Sequence, residues 1–100
     1  MRKVIVLDDA VGDIEEARDF YDGLELGIGD YCADSLVADL ERLGIFHGVH
    51  PKHFGFHRML SNRFPFGIYY RETQMTTEVF AILGLRRDPS WLRSELSKRE

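Results

Sequence analysis

The sequence contains one cysteine, three prolines and no apolar run approaching the roughly 20 residues that a bilayer span requires. Cys32 therefore has no internal disulfide partner, which excludes a disulfide-stapled scaffold and fits a reducing compartment. The opening stretch Met1-Arg2-Lys3-Val4-Ile5-Val6-Leu7 meets Asp8 and Asp9 after four apolar residues. That is too short for a signal peptide, so a cytoplasmic protein with no membrane partner is expected. Asp and Glu are missing from residues 42 to 71. The four histidines there, His47, His50, His53 and His57, match no compact ligand spacing and lack acidic co-ligands and cysteines, so neither a metal nor another cofactor is expected. Read as a strand, His53 and His57 share one face, which leaves pH-sensitive surface binding open.

One hundred residues make one domain, spanning 1–100. A chain this size buries roughly 65% of its unfolded surface, enough for one core, and favours a surface or cleft site. The net charge of −4 conceals a division along the chain. Residues 1 to 50 carry four Lys/Arg against twelve Asp/Glu, and residues 51 to 100 carry nine against five. Either an anionic partner meets the basic half, or the acidic helices only solvate themselves.

A strand is predicted at about residues 3–7. Ala10, Ile14, Ala17, Tyr21 and Leu24 then recur at spacings of 4, 3, 4 and 3, one face of an amphipathic helix with Asp8 or Asp9 as N-cap. Gly23 and Gly27-Ile28-Gly29 break it and start a second helix with the face Cys32, Leu36, Leu40 and Leu43, stopped by Gly44. From His53 the period becomes two. Phe54, Phe56 and Leu60, then Phe64, Phe66, Ile68 and Tyr70, then Val79, Ala81 and Leu83 predict a three-stranded meander. Phe80 and Ile82 make the last strand apolar on both sides, hence central. Pro89 opens a short terminal helix with Trp91, Leu92 and Leu96. The expected class is α+β, with an N-terminal strand and a helical hairpin packed on a twisted antiparallel sheet, in the order β-α-α-β-β-β, followed by the short helix.

The arginines carry the candidate chemistry. Arg86 and Arg87 end an apolar strand, where adjacent guanidinium groups grip phosphate or carboxylate, unless they merely complement the terminal helix or pair with acidic neighbours. Arg58 is in phase with Phe54, Phe56 and Leu60, so either a bulge turns it outward or its stem is buried at the core edge. Tyr69 and Tyr70 point to opposite faces, which places one in the core. Cys32, on an apolar helical face, reads as a packing thiol. Asp8 with Asp9, and Glu15 with Glu16, cannot share a helix face and do not form a general acid/base pair.

Four stretches resemble the RelE/ParE superfamily of toxins from type II toxin-antitoxin modules. They are Asp13-Ile14-Glu15-Glu16-Ala17-Arg18-Asp19-Phe20-Tyr21, Leu26-Gly27-Ile28-Gly29-Asp30, Arg63-Phe64-Pro65-Phe66-Gly67-Ile68-Tyr69-Tyr70 and Arg86-Arg87-Asp88-Pro89. The likeness is nearest to the ParE-like, plasmid-stabilisation branch. It implies a growth-inhibiting toxin that blocks DNA gyrase through Arg58, Arg63, Arg86 and Arg87 and is neutralised by a cognate antitoxin at Phe54, Phe56, Tyr69 and Trp91. The alternatives within the resemblance are a ribosome-dependent endoribonuclease acting on messenger RNA through Arg58, Tyr70 and Arg87, and an inactive member that only binds antitoxin. Departures weigh against the nuclease. Gly67 stands where the family's catalytic arginine falls, Arg58 lacks a pair of lysines beside it, and the terminal helix has Trp91 in place of tyrosine. Leu83-Gly84-Leu85 stands where many gyrase-directed members have a histidine.

Overall fold

The change of apolar period near residue 50 separates two helices from a sheet in the computed structural model, which describes residues 2–100. The elements are β1 (Lys3–Val6), α1 (Asp8–Leu24), α2 (Ile28–Phe46), β2 (Lys52–His53), β3 (Phe56–Leu60), β4 (Phe66–Glu72), β5 (Thr76–Gly84) and α3 (Pro89–Lys98). The sheet order is β1-β5-β4-β3-β2. β3, β4 and β5 form the expected antiparallel meander, and β1 adds to β5 in parallel, so the five-stranded sheet is mixed. A parallel neighbour requires a long crossover, and the helical hairpin with the rest of the meander supplies it.

One face of the sheet carries the hairpin. Cys32, Leu36, Leu40 and Leu43 are all buried there against Met59, Ile68, Tyr70, Val79 and Ile82, as the helical spacing predicts. α3 crosses the other face, where Leu92 and Leu96 close over Phe56, Tyr69, Ala81 and Leu83. Burying each of those two leucines contributes about 1.5–3 kcal/mol, which holds a ten-residue helix too short to persist alone. Asp88 caps α3 by accepting from the Ser90 N–H and hydroxyl at 2.8 and 2.6 Å, and Pro89 sits in its first turn.

Several local expectations are corrected. Leu7, without a side-chain bond, takes the N-cap of α1 in place of Asp8 or Asp9, and α1 runs through Gly23. Leu24 is 68% exposed and lies outside the core. Gly44 stays inside α2, where its carbonyl accepts from the Arg2 N–H at 3.1 Å, and the glycine of positive φ that follows α2 is Gly48. Phe54 and Gly55 both have positive φ, so they turn the chain between β2 and β3. His53 and His57 thus lie on different strands. A register shift beside Tyr69 and Tyr70 places Phe80 and Ala81 together on the α3 side, while Val79 and Ile82 both face the hairpin.

Candidate functional site

β1 covers the edge of β5 only as far as the Val6–Val79 pair, where the chain leaves the sheet for α1. The backbone of β5 beyond that point needs other partners. Asp13 on α1 accepts from the Ile82 N–H at 2.8 Å, and Arg99, following α3, donates to the Phe80 carbonyl at 3.2 Å. The two side chains also bond each other at 2.5 and 3.0 Å, and Arg99 reaches Glu95 at 3.1 Å. Burial pushes the Asp13 carboxyl up, opposed by Arg99 and the Ile82 N–H. Chiefly through the Asp13 bonds, the Arg99 guanidinium is held above its ordinary range. An ion pair therefore stands in for the missing strand.

Next to this pair lies an open groove of about 600 Å³ between α1, the start of β4, the end of β5 and α3. Ala17, Tyr21, Pro65, Phe66 and Leu83 make its apolar lining, joined by Phe20 from α1 and Trp91 from α3. Phe20 is 61% exposed, a large apolar side chain left in water. Arg86 and Arg87 line the groove, and the Arg87 guanidinium stacks 4.2 Å from the centroid of Trp91. Among the described residues, neither arginine has a carboxylate within salt-bridge distance. Burial raises the Tyr21 phenol, and the Arg86 charge pulls against that shift. Stacking on an indole restricts Arg87 while leaving its N–H groups free for an anion. The arrangement suits a polypeptide segment or surface with apolar anchors and negative charge beside them.

The other sequence-predicted residues scatter. Arg63, in the loop before β4, donates to the Tyr31 hydroxyl at 2.8 Å. Arg58 pairs with Tyr69 across β3 and β4. It is a core-edge arginine whose stem lies over Gly67, and no bulge turns it out. Its Nε and the Tyr69 hydroxyl are buried without hydrogen-bond partners. Tyr70 faces the helical hairpin instead, so the trio Arg58, Tyr70 and Arg87 does not converge. Both tyrosines are core residues. Phe56 and Tyr69, expected to meet a partner, are 1% and 0% exposed, because α3 lies on them. Phe54 and Trp91 are half-buried at the edge of the same cluster, with Arg93 5.2 Å from the Phe54 ring. Cys32 is buried, and its thiol is pushed up to about 11. The sequence reading missed Phe20, Asp13 and Arg99. A signal for Phe20 was available: a bulky aromatic just outside the stripe Ala10, Ile14, Ala17, Tyr21.

No protein-family model matches the sequence, and no curated protein matches it. Among solved structures, the fold is similar to a chain described as "Chromosomal ParDE TA system from P. aeruginosa". The TM-score is 0.76 at 16% identity, covering 86% of this chain and 98% of that one. The chain thus shares its fold with a chain of that system. No helix among the described residues is long and apolar enough to cross a membrane.

Proposed function

We propose that this chain is the toxin of a type II toxin-antitoxin pair, acting in the cytoplasm on DNA gyrase and neutralised by a cognate antitoxin. The observation that carries the reading is the pair of unpartnered arginines, Arg86 and Arg87, beside an open aromatic groove on a ParE-like scaffold. Arg86 and Arg87 engage the target from the groove, and Arg63 and Arg58, which do not line it, add contacts outside it. The antitoxin lays apolar side chains against Trp91, Phe54 and Phe20 and neutralises the arginines with carboxylates. Phe56 and Tyr69 contribute beneath α3 as support for that surface. Inhibition of this kind needs no catalytic residue. The ribonuclease reading has weaker support, because Tyr70 lies across the sheet from Arg58 and Gly67 offers no side chain.

The test is tightly controlled induction of the chain in bacteria, with plasmid supercoiling and messenger RNA integrity read from the same cultures. Growth arrest with relaxed or cleaved plasmid and intact RNA is expected. The double variant Arg86→Ala, Arg87→Ala should grow normally while remaining folded. Early codon-specific RNA cuts would move the nuclease reading to first place. Normal growth with soluble parent protein would leave an antitoxin-binding member without toxicity.

A further inference from the structure

The loop between α2 and β2 is held by side chains that the proposed activity does not use. Tyr70, wholly buried on β4, accepts from the Gly48 N–H at 2.9 Å, and its hydroxyl lies 2.5 Å from Nδ1 of His50. His57 on β3 stacks on the Tyr70 ring at 5.0 Å and bonds the His50 carbonyl through its own Nδ1 at 2.7 Å. At the two ends of the loop, His47 Nδ1 meets Glu72 at 3.0 Å and Pro51 accepts from the Arg58 N–H at 2.9 Å.

Proton bookkeeping fixes the tautomers. A carbonyl oxygen only accepts, so His57 must carry its hydrogen on Nδ1. The Tyr70 oxygen already accepts from Gly48, and its single hydrogen has only His50 Nδ1 to receive it. His50 is therefore neutral, with its hydrogen on Nε2. Adding a proton at Nδ1 would aim two N–H donors at one oxygen and leave the buried tyrosine hydrogen without an acceptor. The new charge would face His57 from β3 and Arg42 from α2. Glu72 on β4, whose charge acts on Tyr70, is already engaged by His47 and by Arg2 at 3.3 Å. Lys52 on β2 shares a recess with His57 and Glu72 and adds further positive charge.

We propose that the His50–Tyr70 pair is an acid-sensitive latch, which opens the segment Gly48–His50 when His50 takes a proton and leaves the rest of the domain folded. Val49, 74% exposed in that segment, has little burial of its own to hold it. The outer ties lie apart from the His50 ring: His47 is held on Glu72, and the Pro51 bond is between backbone groups. The sign follows from the surroundings. Burial first, then His57 and Arg42, hold His50 below its ordinary value of 6.5, and burial raises the Tyr70 phenol, so the latch is closed at neutral pH. It opens as pH falls through the lowered value.

The test uses the whole labelled protein in solution, following histidine ¹⁵N shifts and the protection factor of the Gly48 amide between about pH 8 and pH 5. At the upper end His50 should show the Nε2–H tautomer. Gly48 protection should fall about tenfold or more as His50 titrates, while amides of α2 and β5 keep theirs. In His50→Gln, whose side-chain oxygen accepts from Tyr70 but cannot be charged, the pH dependence should vanish. In Tyr70→Phe the protection should be low throughout. An Nδ1–H tautomer at neutral pH, or Gly48 protection unchanged through the titration of His50, would overturn the proposal in the parent protein alone. So would an undiminished pH response in folded His50→Gln.

Discussion

Removing Asp13 should be among the most damaging single changes in this chain. Asp13→Ala leaves the Arg99 guanidinium, whose side chain is 10% exposed, without its carboxylate, and strips the Ile82 N–H of its acceptor. Breaking a buried pair from one side costs about 3–5 kcal/mol. Arg99 keeps its bond to Glu95, which favours the lower figure, about 3 kcal/mol. At about 4–8 °C per kcal/mol for a domain this size, the melting temperature should fall by about 12 °C or more. Substituting both partners by leucine supplies the sharper test. Replacing a buried pair with apolar residues is often neutral, because two desolvation costs disappear together. Here the pair also closes the edge of β5, so the double variant leaves the Ile82 N–H and the Phe80 carbonyl unbonded, at about 1–3 kcal/mol each. Urea unfolding should therefore place Asp13→Leu, Arg99→Leu at least about 2 kcal/mol below the parent, with an unchanged slope. A double variant as stable as the parent would refute the strand-substitute reasoning. So would a cost below about 1 kcal/mol for Asp13→Ala.

Other substitutions probe close approaches. A Cβ on Gly29 would overlap the Arg18 carbonyl oxygen and the Asp22 carboxylate that accepts the Gly29 N–H at 2.7 Å, so Gly29→Ala should cost about 2–3 kcal/mol in chemical unfolding. Gly67→Val should cost about 1–3 kcal/mol, since its Cβ lies 3.0 Å from Arg58 Cδ and 3.2 Å from Leu85 Cδ2. Adding Arg58→Ala should restore part of that loss, and strict additivity of the two changes would contradict the contact. Cys32, with its thiol pushed up to about 11, should resist alkylation at neutral pH until urea unfolds the domain. Rapid labelling of the native protein would contradict its burial.

The parts of the fold legible in the sequence were those where one side-chain period runs undisturbed. α2 announces Cys32, Leu36, Leu40 and Leu43 at helical spacing, and Val79 to Leu83 is too apolar for a half-exposed strand. What escaped was information carried by single hydrogen bonds. Asp13 falls three residues after Ala10 and four before Ala17, and Asp39 three after Leu36 and four before Leu43. Both aspartates lie inside apolar stripes and are buried. Asp13 bonds the edge of β5, and Asp39 accepts from the Ser61 hydroxyl at 2.6 Å. A carboxylate within a core stripe was a readable signal for a tertiary bond, although its partner, about 70 residues away for Ile82, was not. The shift at Phe80 and Ala81 was invisible for a related reason: every residue around it is apolar, so either phase fits the pattern. For the site, Arg86 and Arg87 were marked by adjacency. The groove beside them forms only when α1 and α3 converge on one end of the sheet.

The parallel pairing of β1 with β5 sets the timing of completion during synthesis. Arg2 bonds Thr77 across 75 residues of chain, and Lys3 to Val6 have no other strand to join. Closing a loop of that length costs about 4 kcal/mol of chain entropy, repaid only when β5 has docked. The helical hairpin precedes the meander in the chain, but β1 has no strand to join until residues 76–84 follow, and the floor of α3 is incomplete before then. The groove is assembled from both extremes of this order. A nascent chain therefore lacks the surface around Arg86 and Arg87 until β5 and α3 have docked, and acquires it in one step.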